Sequence, residues 1–231
     1  LVDDIKTSDS QERRAYAGLL LDTLIPVIKT WPSEYGCKAN SMAIQVMGGA
    51  GYVNEHPVEM FYRDNRLNPI HEGTTGIQSI DLLGRKVQIK GSAGFKAVLS
   101  EIRLSIVTAQ ESDRLKGFAS QLEQACVQLT STTELLSAAM VEKNIDLALS
   151  NSVKYLDMFG NIVVAWTWLK LGMVAEAGVA NAAHDQDRDF YKGKLQAMQY
   201  FYRFELPEIY AWAALLSDLD DTCYAMQKEW F

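Results

Sequence analysis

Apolar residues recur at three-to-four spacing through segments 13–30, 35–47, 76–90, 95–109, 114–141, 145–179, 190–216 and 221–231, and no stretch sustains alternation of period two. Positions spaced that way share one face of a helix, so the pattern predicts an all-α chain. From Ile145, the stripe Ile145, Leu149, Val153, Leu156, Phe159, Val163 and Trp166 marks a face that a bundle helix must bury. The five prolines stand at 26, 32, 57, 69 and 207. Helix can therefore run almost unbroken from Ile70 to Leu206. Gly91 and Gly94, with Ser92 between them, interrupt the pattern after Lys90. That interruption predicts two units: a helical bundle over residues 1–90 and a second, up-and-down helical bundle over 91–231.

Helix punctuation supports this reading. Thr74 or Thr75 can cap a helix beginning near Gly76, because a side-chain oxygen there accepts from an orphan backbone N–H. Asp185, Asp187 and Asp189 place negative charge at the start of the helix carrying Phe190 to Leu206, where the helix dipole favours it. Their alternate spacing imitates a calcium loop, but the glycine and closing glutamate of such a loop are missing, so no metal is expected.

With 231 residues, 48% hydrophobic and 22% charged, the composition is that of an ordinary globular protein. The net charge of -7 argues against a nucleic-acid surface, which needs clustered Lys and Arg. Cys37, Cys126 and Cys223 are odd in number and far apart, which suggests reduced, buried thiols and a cytoplasmic protein. The most apolar run, Ile162 to Ala180, contains Lys170, Glu176 and two glycines, so a buried helix is expected there rather than a membrane span. The opening residues LVDDIKTSDSQERRAY lack a signal-peptide pattern and read as a chain cut in mid-course.

One stretch departs from the helical pattern: QVMGGAGYVNEHPVEMFYRDNRLNPIHEGTTGIQ, Gln45 to Gln78. Gly48, Gly49 and Gly51 are expected to end the helix that runs from Tyr35. Pro57 suits the first turn of a short helix carrying Met60, Phe61 and Tyr62, which Asn65 to Pro69 should end. Glu72 then falls on a non-helical segment directly before the next helix. A carboxylate there is rigidly supported while its oxygens face outward, a sensible placement for a general base. Arg63 and Asp64 are expected to form a structural ion pair or cap, and His56 and His184 to lie on the surface.

The motifs QVMGGAGY, P-V-E-x-x-x-R-D (Pro57 to Asp64) and P-I-H-E-G-T-T-G-I-Q (Pro69 to Gln78) together resemble the C-terminal helical domain of the acyl-CoA dehydrogenases. The resemblance covers roughly residues 1–90. The remainder, including FYKGKLQAMQYFYRFELPE (Phe190 to Glu208), resembles a helical extension found in a larger bacterial subgroup of that family, which includes enzymes acting on 3-methylmercaptopropionyl-CoA. The resemblance implies an FAD enzyme assembled as dimers or dimers of dimers. It also implies an acyl-CoA substrate oxidised to a 2-enoyl-CoA, and an electron-transferring flavoprotein as partner. A carboxylate is too weak a base for an α-proton in water, so such a site must be dry and the thioester carbonyl polarised.

Matched position by position, the resemblance makes Glu72 the catalytic base and places Gly73 against the acyl-CoA. Thr74, Thr75 and Gly76 match a segment contacting FAD. Gln45, Val46, Met47, Gly48 and Gly49 match a segment touching the FAD of a neighbouring subunit, which implies a homo-oligomer. His71 stands where many members carry Tyr, and Gly76 where many carry Gln. Gly84 occupies the position of a substrate-side Arg, with Arg85 one step later. Two rival classes stay open: a homologous flavoprotein of other use, such as a nitroalkane-oxidising or stress-response protein, and a non-catalytic oligomerisation module. The exposed-class aromatics Trp212, Tyr224, Trp230 and Phe231 suggest an intersubunit face near the end of the chain.

Overall fold

A computed structural model describes residues 1–142 and 144–230, and among them no strand occurs. The helices are α1 (Val2–Thr7), α2 (Gln11–Met47), α3 (Gly49–Tyr52), α4 (Val58–Asn65), α5 (Thr75–Asp81), α6 (Ile89–Gln110), α7 (Lys116–Val141), α8 (Ile145–Ser150), α9 (Ser152–Asn181), α10 (Asp185–Tyr200) and α11 (Glu208–Ser217). A π-helical turn, Leu82–Lys86, follows α5, and a second, Phe201–Glu205, follows α10. Phe231, one of the aromatics expected at an intersubunit face, lies outside the described residues.

Helix α2 begins at Ser10, whose side chain accepts from the Arg13 N–H at 3.2 Å, and it runs for 37 residues. The separate segments 13–30 and 35–47 are thus one helix that passes through Pro26 and Pro32. Each proline removes one backbone bond. Packing along α2 outweighs that loss, with Leu20, Leu24, Val27, Thr30 and Ser33 buried against the neighbouring helices.

Helix α9 is the centre of the molecule and packs on α2, α5, α6, α7, α10 and α11. It is long and apolar enough to cross a membrane by length and composition, yet here it buries Tyr155, Leu156, Met158, Phe159, Ile162, Ala165 and Leu169 among other helices. The expected stripe from Ile145 needs correction. A break at Asn151 divides 145–179 into α8 and α9, so the register shifts between them. Leu156 and Phe159 are buried, whereas Ile145 and Val153 are exposed. Residues 190–216 are likewise interrupted by the second π-helical turn and Pro207, and residues 221–230 carry only a short 3-10 turn, Lys228–Trp230.

Lys90, Gly91 and Ser92 all have left-handed backbone angles, which redirect the chain at the predicted interruption. A single cluster of buried residues nevertheless runs across it, from Leu20, Leu82 and Val87 to Phe95, Phe159 and Leu216. Cys126 is buried and Cys37 half-buried, but Cys223 is exposed, against the expectation of three buried thiols. It lies beyond α11, the last long helix. Trp212 is half-buried beneath Lys154, while Tyr224 and Trp230 are exposed. His56 and His184 are both exposed, as expected.

Candidate active site

After α4 ends, the chain closes two tight turns, with the Ile70 N–H on the Leu67 carbonyl at 2.9 Å and the His71 N–H on the same carbonyl at 3.1 Å. Glu72 (φ 55°) and Gly73 (φ 91°) then occupy the left-handed region in succession and swing the chain into α5. Glycine accepts this angle freely, but for a glutamate it costs about 1–2 kcal/mol, which the surroundings must hold. Both carbonyls of the turn are held. Gln78 Nε2 donates to the Glu72 carbonyl at 2.9 Å, and Lys29 Nζ, from the middle of α2, donates to the Gly73 carbonyl at 2.6 Å. A Cβ on Gly73 would stand 2.9 Å from Gln78 Nε2, so this glycine has an intramolecular reason besides its backbone angle.

Glu72 lines a groove of about 360 Å³ together with Lys29, Pro32, Ser33, Asn65, Asn68 and His71. The polar walls are tied to one another: Asn68 Nδ2 donates to Asn65 Oδ1 at 2.7 Å, and His71 Nε2 lies 3.2 Å from Asn68 Oδ1. The Glu72 carboxylate is exposed and enters none of the ion pairs among the described residues. Its backbone is held by the turn, and the carboxylate is open to whatever fills the groove.

Thr74 holds the N-cap position of α5, but its side chain makes no capping bond. The Thr75 hydroxyl donates instead to the Glu34 carboxylate on α2. Gly76 has open space where a side chain would stand, as do Gly48 and Gly49. Gln45, Val46, Met47, Gly48 and Gly49 lie exposed at the far end of α2, and Val46 is 87% exposed. They do not line the Glu72 groove. The chain therefore presents two separate surfaces, the turn and the tip.

One polar expectation needs correction. Arg63 pairs with Glu59, one turn back on α4, and not with Asp64, because adjacent residues on a helix do not face each other. The sequence assigns the role of a substrate-side Arg to no residue, and here Arg85 pairs with Asp81 at 2.5 Å across one helical turn while neither Gly84 nor Arg85 lines the groove. Sequence reasoning missed Lys29, Glu34, Asn65 and Asn68. Nothing in the local pattern of a long amphipathic helix distinguishes Lys29 and Glu34 from ordinary solvated positions.

Comparison with known proteins identifies the family. Residues 8–87 match the family described as acyl-CoA dehydrogenase, C-terminal domain, and residues 98–227 match the one described as acetyl-CoA dehydrogenase C-terminal like. The chain is 31% identical over 226 residues to 3-methylmercaptopropionyl-CoA dehydrogenase of Ruegeria pomeroyi, covering 95% of this chain and 37% of that protein. It is 24% identical over 215 residues to the broad-specificity linear acyl-CoA dehydrogenase FadE5 of Mycobacterium tuberculosis, covering 91% of this chain and 35% of that protein. A butyryl-CoA dehydrogenase of Syntrophomonas wolfei is 27% identical over 229 residues, 99% of this chain and 37% of that protein. The chain belongs to the acyl-CoA dehydrogenase family. It spans a little over a third of the length of these relatives.

Proposed function

We propose that this chain is the C-terminal part of an FAD-dependent acyl-CoA dehydrogenase, in which Glu72 takes the α-proton of an acyl-CoA thioester on the way to a 2-enoyl-CoA. The observation that carries the reading is one unpaired carboxylate in the groove, held on a turn whose two carbonyls are anchored by Lys29 and Gln78. A base so placed can meet a carbon acid without first breaking an ion pair or reorganising its backbone. Thr74, Thr75 and Gly76 would hold FAD on this chain's own side, with Gly73 against the substrate. Gln45, Val46, Met47, Gly48 and Gly49 would meet the cofactor of a neighbouring subunit in a homo-oligomer. FAD, when bound, would supply the acceptor for the hydride leaving the β-carbon, and an electron-transferring flavoprotein would receive its two electrons next.

The two separate family matches, on either side of residues 88–97, support a division into a partial C-terminal domain over 1–90 and an extension over 91–231. The fragment alone would be inactive, since it supplies one base and two cofactor-facing surfaces but no enclosure for the thioester. Three unpaired cysteines suit a reducing compartment, consistent with a cytoplasmic enzyme.

The test is steady-state oxidation of a panel of acyl-CoAs by the full-length protein with an artificial electron acceptor, wild type against Glu72→Gln. Loss of a positioned base should lower kcat by roughly 10²–10⁴-fold. Activity of the variant equal to wild type would remove the proposal.

A further inference from the structure

Thr30, Glu34 and Asp157 converge on a cavity of about 20 Å³ between α2 and α9, walled also by Trp31, Tyr35 and Leu156. That volume admits about one water. Thr30 is buried, and among the described residues its Oγ1 is the one buried side-chain polar atom without a hydrogen-bond partner. A hydroxyl in that position is costly unless a small polar molecule reaches it. Burial pushes the Asp157 carboxyl up, Lys154 at 3.1 Å pulls it down, and the Glu34 charge pushes it up again. Thr30, Glu34 and Asp157 thus bring three polar side chains to an otherwise largely apolar cavity, and the Thr30 hydroxyl among them lacks a partner.

Glu34 faces two ways. It lines the cavity, and it accepts the hydroxyl of Thr75, three residues after Glu72. We propose that Glu34 is a positioning residue for the Glu72–Thr75 turn, acting through the Thr75 hydroxyl, and that one bound water joins it to Thr30 Oγ1 and Asp157. Residues 91–231 thereby brace the turn, because Asp157 belongs to α9. Two further polar contacts follow the same seam. Ser79 Oγ meets Ser152 Oγ at 2.9 Å between α5 and α9, both buried, and Trp31 Nε1 donates to the buried Asn161 at 2.9 Å. Asn161 in turn donates to the Glu205 carbonyl at 3.0 Å, at the end of the second π-helical turn. Glu34 itself is exposed, so its grip on Thr75 depends on what holds it from the cavity side.

The catalytic part of this inference rests on the dehydrogenase reading, while its structural part does not. The experiment is amide hydrogen exchange over residues 72–82 in the full-length protein, with kcat and KM measured in parallel, for Glu34→Ala, Glu34→Gln, Thr75→Val and Thr30→Val. Glu34→Ala and Thr75→Val should each speed exchange in the turn roughly tenfold, the double variant no further, and Glu34→Gln should restore most of the protection. In the same variants kcat should fall more than KM rises, again with rescue by Gln. Thr30→Val should speed exchange in the same direction, because the water loses a partner. Unchanged exchange in Glu34→Ala would overturn the positioning role. Thr30→Val as protected as wild type, or more so, would overturn the water, since a dry cavity prefers the methyl group. If Glu72→Gln proves fully active the dehydrogenase reading fails, and the exchange data still decide this inference.

Discussion

Lys29 Nζ donates to the Gly73 carbonyl at 2.6 Å, across 44 positions of chain. This one contact ties the middle of the longest helix to the residue after the candidate base. It is charge-assisted and half-buried, the class of hydrogen bond worth about 1.5–3 kcal/mol. Lys29→Met keeps the aliphatic stem and removes the donor. Urea unfolding should show a loss of about 1–2 kcal/mol, and in the full-length protein kcat should drop while FAD stays bound. A kcat equal to wild type would separate the anchor from the site.

Gly73→Ala tests the turn independently of any activity. The new methyl group would meet Gln78 Nε2 at 2.9 Å and would sit at a φ of 91°. A loss of roughly 1–2 kcal/mol is expected in denaturant unfolding. Measured against Gln78→Ala, which removes the clash together with the bond to the Glu72 carbonyl, Gly73→Ala should cost only the part due to the backbone, so a cost of zero in that background would contradict the strained angle.

Asp157 makes stability depend on pH in a definite sense. Its folded carboxyl titrates above the ordinary aspartate range, chiefly through burial. The folded state therefore holds this proton more tightly than the unfolded one. Its contribution is complete below the unfolded value and is lost as pH rises through the folded one. As pH rises from about 4, the ordinary aspartate value, wild type should lose stability relative to Asp157→Asn, measured by urea unfolding at each pH. Parallel curves would mean that the carboxyl is not perturbed.

The thiols should separate by reactivity. Burial pushes the Cys126 thiol up to about 12, whereas Cys223 is exposed. Cys37 is half-buried and lies 3.3 Å from Asn65 Nδ2. An aromatic disulfide reagent at mild alkaline pH should label Cys223 first and Cys37 later, and reach Cys126 only on unfolding. Mass mapping of the labelled peptides gives the order, and early labelling of Cys126 would show that its helix opens locally.

The helical class was legible because a 3.6-residue apolar period leaves little room for another reading, and the break at Gly48 and the short helix after Pro57 followed from backbone chemistry. The passage of α2 through Pro26 and Pro32 was not legible: local rules assign each proline a cost, and only contacts with distant helices reveal that it is outweighed. The exposed Ile145 shows the same limit, since a break of one residue at Asn151 shifts the register of everything before it, and Val153 is exposed in the first turn of the helix that follows. Around Glu72 the sequence revealed the carboxylate and its turn. The supports from Lys29, Glu34 and Asp157 were hidden, because they come from elements up to 85 positions away from it along the chain, which is 157 minus 72.

The unbroken course of α2 has a mechanical consequence. Glu34 and Gly48 ride on one rod, roughly 20 Å apart at 1.5 Å per residue. Neither Pro26 nor Pro32 offers an N–H to the carbonyl four residues earlier, so the rod is most pliant over residues 22–32, the span that carries Lys29 and ends beside Glu34. Flexure at that joint would tilt the distal tip as it loosens the turn, and whatever grips one end would stiffen the other.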